Sequence, residues 1–256
     1  MPFTLSHAVL APPLSKLSKG HLPLAALAIG CMTPDIYRLF TQENINLTHQ
    51  WAGLLFPNLP IGLLFCLLWY LIYRPVIYRI LGIHHPLKVS SFDHALTFIL
   101  MSCIALSIGI ATHLIWDGLT HLDFRTFAFK ETLAQNISLL GLSYPLHFVL
   151  QIASSVLTLP IILVMSWHYY LRHKHNHPVS TKIKTFALLS FSVSIIVGLI
   201  AVLDYSQQIS ADLWNSERYF YIGKSINEFT QASLSWFTVA CLLFLFFDWI
   251  ARLKSV

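Results

Sequence analysis

Five long stretches without a charged residue constrain the fold of this chain more than any other feature. They lie at Ala52–Tyr73, Ala95–Trp116, Ser143–Leu171, Thr185–Leu203 and Phe229–Phe247. A helix needs roughly 20 apolar residues to cross the ~30 Å hydrocarbon core of a membrane. Soluble domains carry about 25% charged residues, whereas this chain carries 11%. The sequence therefore predicts an all-α, polytopic membrane helix bundle of about five transmembrane helices, in a single integral-membrane domain over residues 1–256.

The N-terminal segment, residues 1–51, precedes the first predicted span and contains a shorter apolar run, Leu22–Met32. Eleven residues are too few to cross the hydrocarbon core. We therefore expect this run to form a re-entrant or interfacial helix, or a helix buried against the bundle.

The charged residues are distributed unequally between the two sides that five spans would connect. One side, which includes the C-terminus, receives nine basic and two acidic residues, and the other receives seven basic and nine acidic residues. Lys and Arg favour the cytoplasmic side of a membrane protein. The distribution predicts a cytoplasmic C-terminus, with residues 1–51 on the outer side. It also explains the basic pI without a nucleic-acid partner, and no nucleic-acid-binding module is present.

The strongest group of polar residues lies at the end of the second predicted span. His113 and Asp117 are four residues apart and share one face of a helix. Continuation of the helix brings His121 only about 80° further round. Imidazole and carboxylate groups are common ligands of divalent zinc, iron and manganese. The alternative interpretation is a His–Asp hydrogen bond that caps the helix end.

Three residues of the N-terminal segment are predicted to lie on the same side as this helix end. They are His7, Asp35, which follows Pro34 where the helical run is expected to stop, and His49. Together the six side chains predict a site for one or two divalent ions, with zinc as the first choice. One carboxylate would then remain as a general base, and either Asp35 or Asp117 suits that role.

Two further groups of histidines have competing interpretations. His147 and Gln151 share a face of the third span and are candidates for contact with a substrate head group, although an interhelical hydrogen bond is the favoured interpretation. His173, His175 and His177 alternate in a basic segment. A metal site is conceivable there, but a solvated positive loop fits the surrounding charges better.

The polar motifs also resemble those of a known family, the bacterial integral-membrane proteins named domain of unknown function 4184. The resemblance covers Met1–His7, Gly30–Asp35, Thr48–Leu55 and His113–His121, with a weaker similarity at Gln151–Ser155. The order of the motifs is similar to that of LexA-regulated, membrane-bound predicted metal-dependent hydrolases. It is more distantly similar to that of zinc-dependent phospholipase C, which has an Asp-x-Asp-His element where this chain has Asp35–Arg38.

The resemblance implies a metal-dependent hydrolase in the bacterial cytoplasmic membrane. A site at the outer surface of the cytoplasmic membrane suits an amphiphile. We therefore expect membrane lipids as partners and a lipid or lipid-linked phosphate as the substrate. Two other functions use the same residues. One is an ion- or proton-coupled transporter, and the other is a non-catalytic structural membrane protein. The sequence leaves the oligomeric state open.

Overall fold

The computed structural model describes residues 4–41, 46–87, 89–139, 141–175 and 178–254. The chain is almost entirely helical, as predicted, and five of its helices are long and apolar enough to cross a membrane. They are Trp51–Leu81, Phe92–Thr120, Leu146–His173, Thr181–Gln207 and Phe220–Leu253. Each contains most or all of one predicted span. Two parts of the predicted motifs, Met1–Phe3 and His177, lie outside the described residues.

The N-terminal part of the chain forms short helices that surround the candidate site. In chain order they are α1 (Thr4–His7), α2 (Ala11–Leu17) and α3 (Leu24–Ile36), with 3-10 turns at Ala8–Leu10, Tyr37–Leu39 and Asn46–His49. The first long helix then contains α4 (Leu59–Leu68) and α5 (Arg74–Leu81). Its backbone leaves the helical region at Phe56.

The remaining elements include one small hairpin among long helices. Helix α6 (Phe92–Thr120) is followed by α7 (Lys130–Leu133), strands β1 (Asn136–Leu139) and β2 (Leu142–Pro145), and α8 (Leu146–His173). The strands pair antiparallel, with Ser138 opposite Ser143. The prediction that the third span begins at Ser143 is therefore wrong at its first three residues. Residues 143–145 form β2 instead, because their backbone groups pair with β1.

The C-terminal part of the chain consists of α9 (Thr181–Gln207), α10 (Ala211–Ser216) and α11 (Arg218–Leu253). Helices α9 and α11 pack closely where Gly198 faces Phe229 and Ser233, and the Ser233 hydroxyl donates a hydrogen bond to the Ser194 carbonyl. Most of the large side chains that these two helices expose are apolar, which is typical of helices that face lipid.

The described residues divide into two compact units. The first unit contains Met1–Tyr37, Glu43–Cys66 and Pro86–Arg172, and the second contains Arg38–Gln42, Leu67–His85 and His173–Val256. Each unit has its own packed interior, and all six predicted metal ligands belong to the first. The prediction of one integral-membrane domain over residues 1–256 stays a prediction.

Helix α3 occupies the interior of the first unit, where it packs against α6. A Cβ atom on Gly30 would lie 2.5 Å from the Leu106 carbonyl oxygen, so the two helix backbones approach closely at this point. Ala26, Leu27 and Cys31 have no exposed surface. Of the three expectations for the run Leu22–Met32, burial against the bundle is the one observed. The helix also continues through Pro34, so that Asp35 lies in its last turn.

Candidate metal centre

The six predicted ligands converge in the first unit from four separate segments. His7 ends α1, Asp35 lies in the last turn of α3, and His49 ends the 3-10 turn at Asn46–His49. His113 and Asp117 lie near the end of α6, and His121 follows it. All six are buried, with exposed fractions of 8% or less. The sequence prediction that these residues lie close together is confirmed, although their roles stay predictions.

The ligand atoms form two overlapping groups of three. One atom each of His7, Asp35 and His113 lie within 4.8 Å of one another, and so do atoms of His49, His113 and Asp117. His113 belongs to both groups. Separations of this size between imidazole nitrogens and carboxylate oxygens are compatible with ligation of a common ion. The arrangement can therefore hold a metal ion.

Asp117 lies among the four histidines of the cluster. Its Oδ1 atom is 3.8 Å from His7 Nε2 and 3.5 Å from His121 Nδ1. Its Oδ2 atom is 3.6 Å from His113 Nε2 and 3.8 Å from His49 Nε2. The carboxylate is thus near each histidine without a short hydrogen bond to any of them.

His121 reaches Asp117 by a different route from the one predicted. Helix α6 ends at Thr120, and His121 has an extended backbone with φ −113° and ψ 155°. The prediction that the helix continues to His121 is therefore wrong. The His121 backbone N–H still donates to the Asp117 carbonyl oxygen at 2.9 Å, which keeps the side chain beside the cluster.

The ring of His113 is held in the form that a metal requires. Its Nδ1 atom lies 2.8 Å from the Cys31 carbonyl oxygen, which can only accept a hydrogen bond. Nδ1 therefore carries a proton, and Nε2 presents a lone pair whenever the ring is neutral. A second-sphere hydrogen bond of this kind orients most metal-bound histidines.

Several buried polar atoms of the described residues lack hydrogen-bond partners. They are both ring nitrogens of His7, Nε2 of His113 and Oδ1 of Asp117, together with Oδ1 of Asn58. A buried polar atom without a partner costs about 1–3 kcal/mol, so such atoms are rare unless they serve a purpose. Four of these five atoms belong to the six predicted ligands. This donor set fits a divalent metal ion.

Burial also keeps two of the histidines outside the spans in their neutral form. It lowers the pKa of His7 to about 3 and that of His121 to about 4. The nearby charge of Arg125 lowers the pKa of His121 further, against the opposite effect of Asp117. At neutral pH both rings are unprotonated, which is the form that can bind a metal.

Asp35 and His49 form a hydrogen-bonded pair inside the cluster. His49 Nε2 is 3.0 Å from Asp35 Oδ1, and the Thr4 hydroxyl donates to Asp35 Oδ2 at 3.0 Å. The other ring nitrogen of His49 is 3.0 Å from the Thr48 hydroxyl. An acidic and a basic group are therefore in direct contact beside the unpartnered atoms.

Comparison with known proteins assigns the chain to a family. A model of the family described as Domain of unknown function (DUF4184) matches residues 1–251. The chain belongs to the DUF4184 family. No curated protein and no solved structure matches it. The similarity of motif order to LexA-regulated hydrolases and to zinc-dependent phospholipase C stays a prediction.

The site of this DUF4184 protein contains a charged residue that sequence analysis missed. Nη1 of Arg125 donates to Asp117 Oδ2 at 3.0 Å, and its guanidinium also pairs with Asp123. In the sequence, Arg125 is simply one of the seven basic residues on the side that includes residues 1–51. Arg125 lies beyond the end of α6 at Thr120, so helical periodicity does not place it, and only the reversal of the chain after α6 brings it to the cluster.

The two residues predicted to bind substrate have hydrogen-bond partners in the protein. Gln151 Nε2 donates to the Thr120 carbonyl oxygen at 2.9 Å, and His147 Nδ1 is 3.2 Å from the Leu133 carbonyl oxygen. Gln151 thus makes the interhelical bond that was the alternative interpretation. A role of these residues in substrate binding stays a prediction.

Two histidines of the basic segment, His173 and His175, form ring pairs in the second unit. His173 stacks on His85 with ring centroids 4.4 Å apart, and His175 lies 4.9 Å from His84. The rings of His84, His85 and His175 are exposed. This arrangement is consistent with the favoured interpretation as a solvated positive loop.

An apolar cavity of about 350 Å³ lies along α6 in the first unit. Helix α6 contributes Thr112, Ile115, Trp116, Leu119 and Thr120, and Leu10, Leu150 and Ser154 complete the lining. The Trp116 ring also meets the His7 ring edge to face, with centroids 5.4 Å apart. The same tryptophan therefore lines the cavity and contacts a candidate ligand.

Asn58 holds the backbone of the residue that precedes His49, and its replacement is expected to weaken metal binding. The Asn58 side chain is fully buried and donates to the Thr48 carbonyl oxygen at 2.7 Å. Loss of a group that is hydrogen-bonded to a ligand typically costs 10–100-fold in metal affinity. Asn58 acts one residue further out, through Thr48, whose hydroxyl is 3.0 Å from His49 Nδ1. We therefore expect Asn58→Ala to lower zinc affinity by roughly tenfold, the lower end of that range, as measured by competition with a fluorescent chelator. An unchanged affinity in a folded Asn58→Ala protein would contradict this role.

Proposed function

We propose that this protein is a metal-dependent hydrolase of the membrane that cleaves a phosphoester of a lipid or lipid-linked substrate. The observation that carries the proposal is the buried His/Asp cluster around His113, in which four ligand atoms have no hydrogen-bond partner. We place the reaction at the outer face of the bacterial cytoplasmic membrane, with the C-terminus in the cytoplasm, on the distribution of Lys and Arg.

The donor set indicates which residues would bind a metal ion and what chemistry the ion would supply. The six candidate residues, His7, Asp35, His49, His113, Asp117 and His121, would hold one or two ions, most naturally zinc, and would provide one carboxylate as the base. The chemistry that a bound divalent ion supplies is activation of water near neutral pH and polarisation of the bond to be broken. Neutral histidines and anionic carboxylates match the charge of such an ion.

Asp35 suits the role of general base better than Asp117. Asp117 already accepts a hydrogen bond from Arg125, which stabilises its anionic form and makes it a poorer proton acceptor. Asp35 instead contacts His49 at 3.0 Å, and a carboxylate paired with an imidazole can take up a proton and share it with the ring. We therefore assign Asp35 as the base and Asp117 as a ligand.

The cavity along α6 supports an amphiphilic substrate. It is apolar, it lies along the same helix as His113 and Asp117, and Trp116 borders both regions. One acyl or isoprenyl chain of a lipid fits these properties, because its phosphate would then lie at the polar end of α6. His113 and Asp117 also lie close to the end of that helix, which suits surface chemistry better than transport through mid-membrane.

Metal analysis combined with a hydrolysis assay tests the proposal. The protein is purified in detergent without added metal, and bound metals are measured by mass spectrometry. Hydrolysis of a short-chain phosphatidylcholine and of p-nitrophenyl phosphate is then followed before and after chelation. We expect one or two ions per chain, with activity on the lipid that is lost on chelation and restored by zinc. Absence of bound metal would refute the proposal, and tightly bound metal without hydrolysis of either ester would favour a structural role.

A further inference from the structure

The loop that follows α6 holds an arginine against the metal cluster. Arg125 donates from Nη1 to Asp117 Oδ2 at 3.0 Å. On the opposite side it makes a bidentate pair with Asp123, at 2.9 Å from Nε to Oδ1 and 2.5 Å from Nη2 to Oδ2. Its side chain is 12% exposed, whereas that of His113 is 0% exposed. The guanidinium therefore lies at the rim of the cluster rather than within it.

The loop is organised so that Arg125 is presented in a fixed position. The Arg125 backbone N–H donates to Asp123 Oδ1, and the Thr126 hydroxyl donates to the His121 carbonyl oxygen at 2.6 Å. The loop also packs directly onto α6 at Gly118. A Cβ atom at that position would collide with the Phe127 ring and would lie 3.1 Å from the Arg125 carbonyl oxygen. An ion pair that served charge balance alone would not need such a rigid support.

Two N–H donors of the Arg125 guanidinium remain available for a further acceptor. Arginine has five N–H donors. The contacts with Asp117 and Asp123 use Nε–H and one N–H each of Nη1 and Nη2. One N–H on each terminal nitrogen remains for another acceptor. A phosphoryl group offers several oxygen acceptors and a negative charge, which is the ligand that a guanidinium recognises best.

We propose that Arg125 binds the anionic phosphoryl group of the substrate, with Asp123 as the residue that positions it. This inference rests on the proposed function and specifies its substrate class as an anionic phosphate ester. Asp117 joins the two parts of the site, because its Oδ2 atom accepts from Arg125 and also lies 3.6 Å from the candidate ligand atom of His113. An oxygen of the substrate bound to Arg125 therefore lies next to the cluster.

Binding of radiolabelled inorganic phosphate to the zinc-loaded protein tests this proposal without an activity assay. Phosphate affinity is measured by equilibrium dialysis, and zinc content is measured on the same samples. We expect Arg125→Gln to retain zinc and to bind phosphate at least tenfold more weakly, because a charge-assisted hydrogen bond is lost. Arg79→Gln is the matched control, since Arg79 pairs with Asp248 in the second unit at 2.6 Å. Its phosphate affinity is expected to equal that of the unmodified protein.

Two results with Arg125→Gln would overturn the proposal. One is phosphate binding in zinc-loaded Arg125→Gln within twofold of the unmodified protein. The other is joint loss of zinc and phosphate, which would show that Arg125 serves Asp117 instead of a substrate. If Arg125→Gln does not fold, Arg125→Lys replaces it. Lysine keeps the charge but not the planar fork, so we expect normal zinc content and weaker phosphate binding. Unchanged phosphate affinity in Arg125→Lys would also overturn the assignment.

The dialysis result separates this inference from the proposed function. Metal-dependent phosphate binding that requires Arg125, in a protein that hydrolyses no ester, would leave the anion site intact and refute the hydrolase. Hydrolysis of phospholipid together with normal phosphate binding by Arg125→Gln would leave the hydrolase intact and refute the role of Arg125.

Discussion

Replacement of His113 by alanine is expected to abolish both metal binding and hydrolysis. His113 is shared by the two candidate ligand groups, so its loss leaves neither group with three ligands. The Cys31 carbonyl oxygen also fixes its ring in the metal-binding tautomer. Removal of a second-sphere partner alone costs 10–100-fold in metal affinity, and we expect removal of this ligand to cost roughly 100-fold or more. Zinc content and the rate of phospholipid hydrolysis measure the effect.

The matched control for this variant is His168→Ala. His168 lies on α8, is exposed, and contacts the Val164 carbonyl oxygen of its own helix. We expect the control to keep its zinc and its activity. Because His113 is fully buried, a folding defect must be distinguished from ligand loss. His113→Gln, which is closer in volume and polarity, is expected to remain monodisperse in detergent while it loses zinc. Full zinc content in either His113 variant would contradict the site described here.

The same variant distinguishes a catalytic metal from a structural one. If the ion only stabilises the fold, the unmodified protein hydrolyses no ester, and loss of His113 only lowers the thermal midpoint. If the ion is catalytic, hydrolysis falls in parallel with zinc content even where the protein remains folded. The unpartnered nitrogens of His7 and His113 predict a measurable gain in thermal midpoint when zinc is added to the metal-free protein.

The sequence predicts the part of the site that follows local periodicity. His113 and Asp117 are one helical turn apart, and any helix over Ala95–Trp116 that continues for another turn places them together. His7, Asp35 and His49 come from separate segments, and their inclusion depended on a predicted topology that placed them on one side. Arg125 was missed because its approach depends on the path of the chain after Thr120, which no periodic pattern describes.

Two features of the fold also depend on long-range contacts that the sequence pattern does not reveal. The hydropathy pattern predicts helix α3 but not where the helix packs. Its packing depends on the close approach of Gly30 to α6, and a glycine in an apolar run is not distinctive. Hydropathy likewise joins Ser143–Pro145 to the third span, since these residues are uncharged. Their backbone pairing with Asn136–Ser138 excludes them from the helix, and such pairing is a long-range property.

Substitution of Gly109 by leucine is expected to separate α3 from α6 and to disrupt the candidate metal centre indirectly. A Cβ atom on Gly109 would lie 2.5 Å from the Leu27 carbonyl oxygen and 2.7 Å from the Cys31 backbone nitrogen. These are backbone atoms, so no side-chain rotation relieves the clash. Overpacking of a core typically costs about 1–3 kcal/mol, and we expect an effect at the upper end of this range.

The consequence for the site follows from what α3 contributes to it. Movement of α3 displaces Asp35 and the Cys31 carbonyl oxygen that holds His113, so zinc affinity should fall together with the thermal midpoint. Gly223→Leu on α11 is the control, because a Cβ atom there meets nothing within 4 Å. It is expected to leave both quantities unchanged. A Gly109→Leu protein with the zinc affinity and thermal midpoint of the unmodified chain would show that the contact between α3 and α6 does not position the ligands.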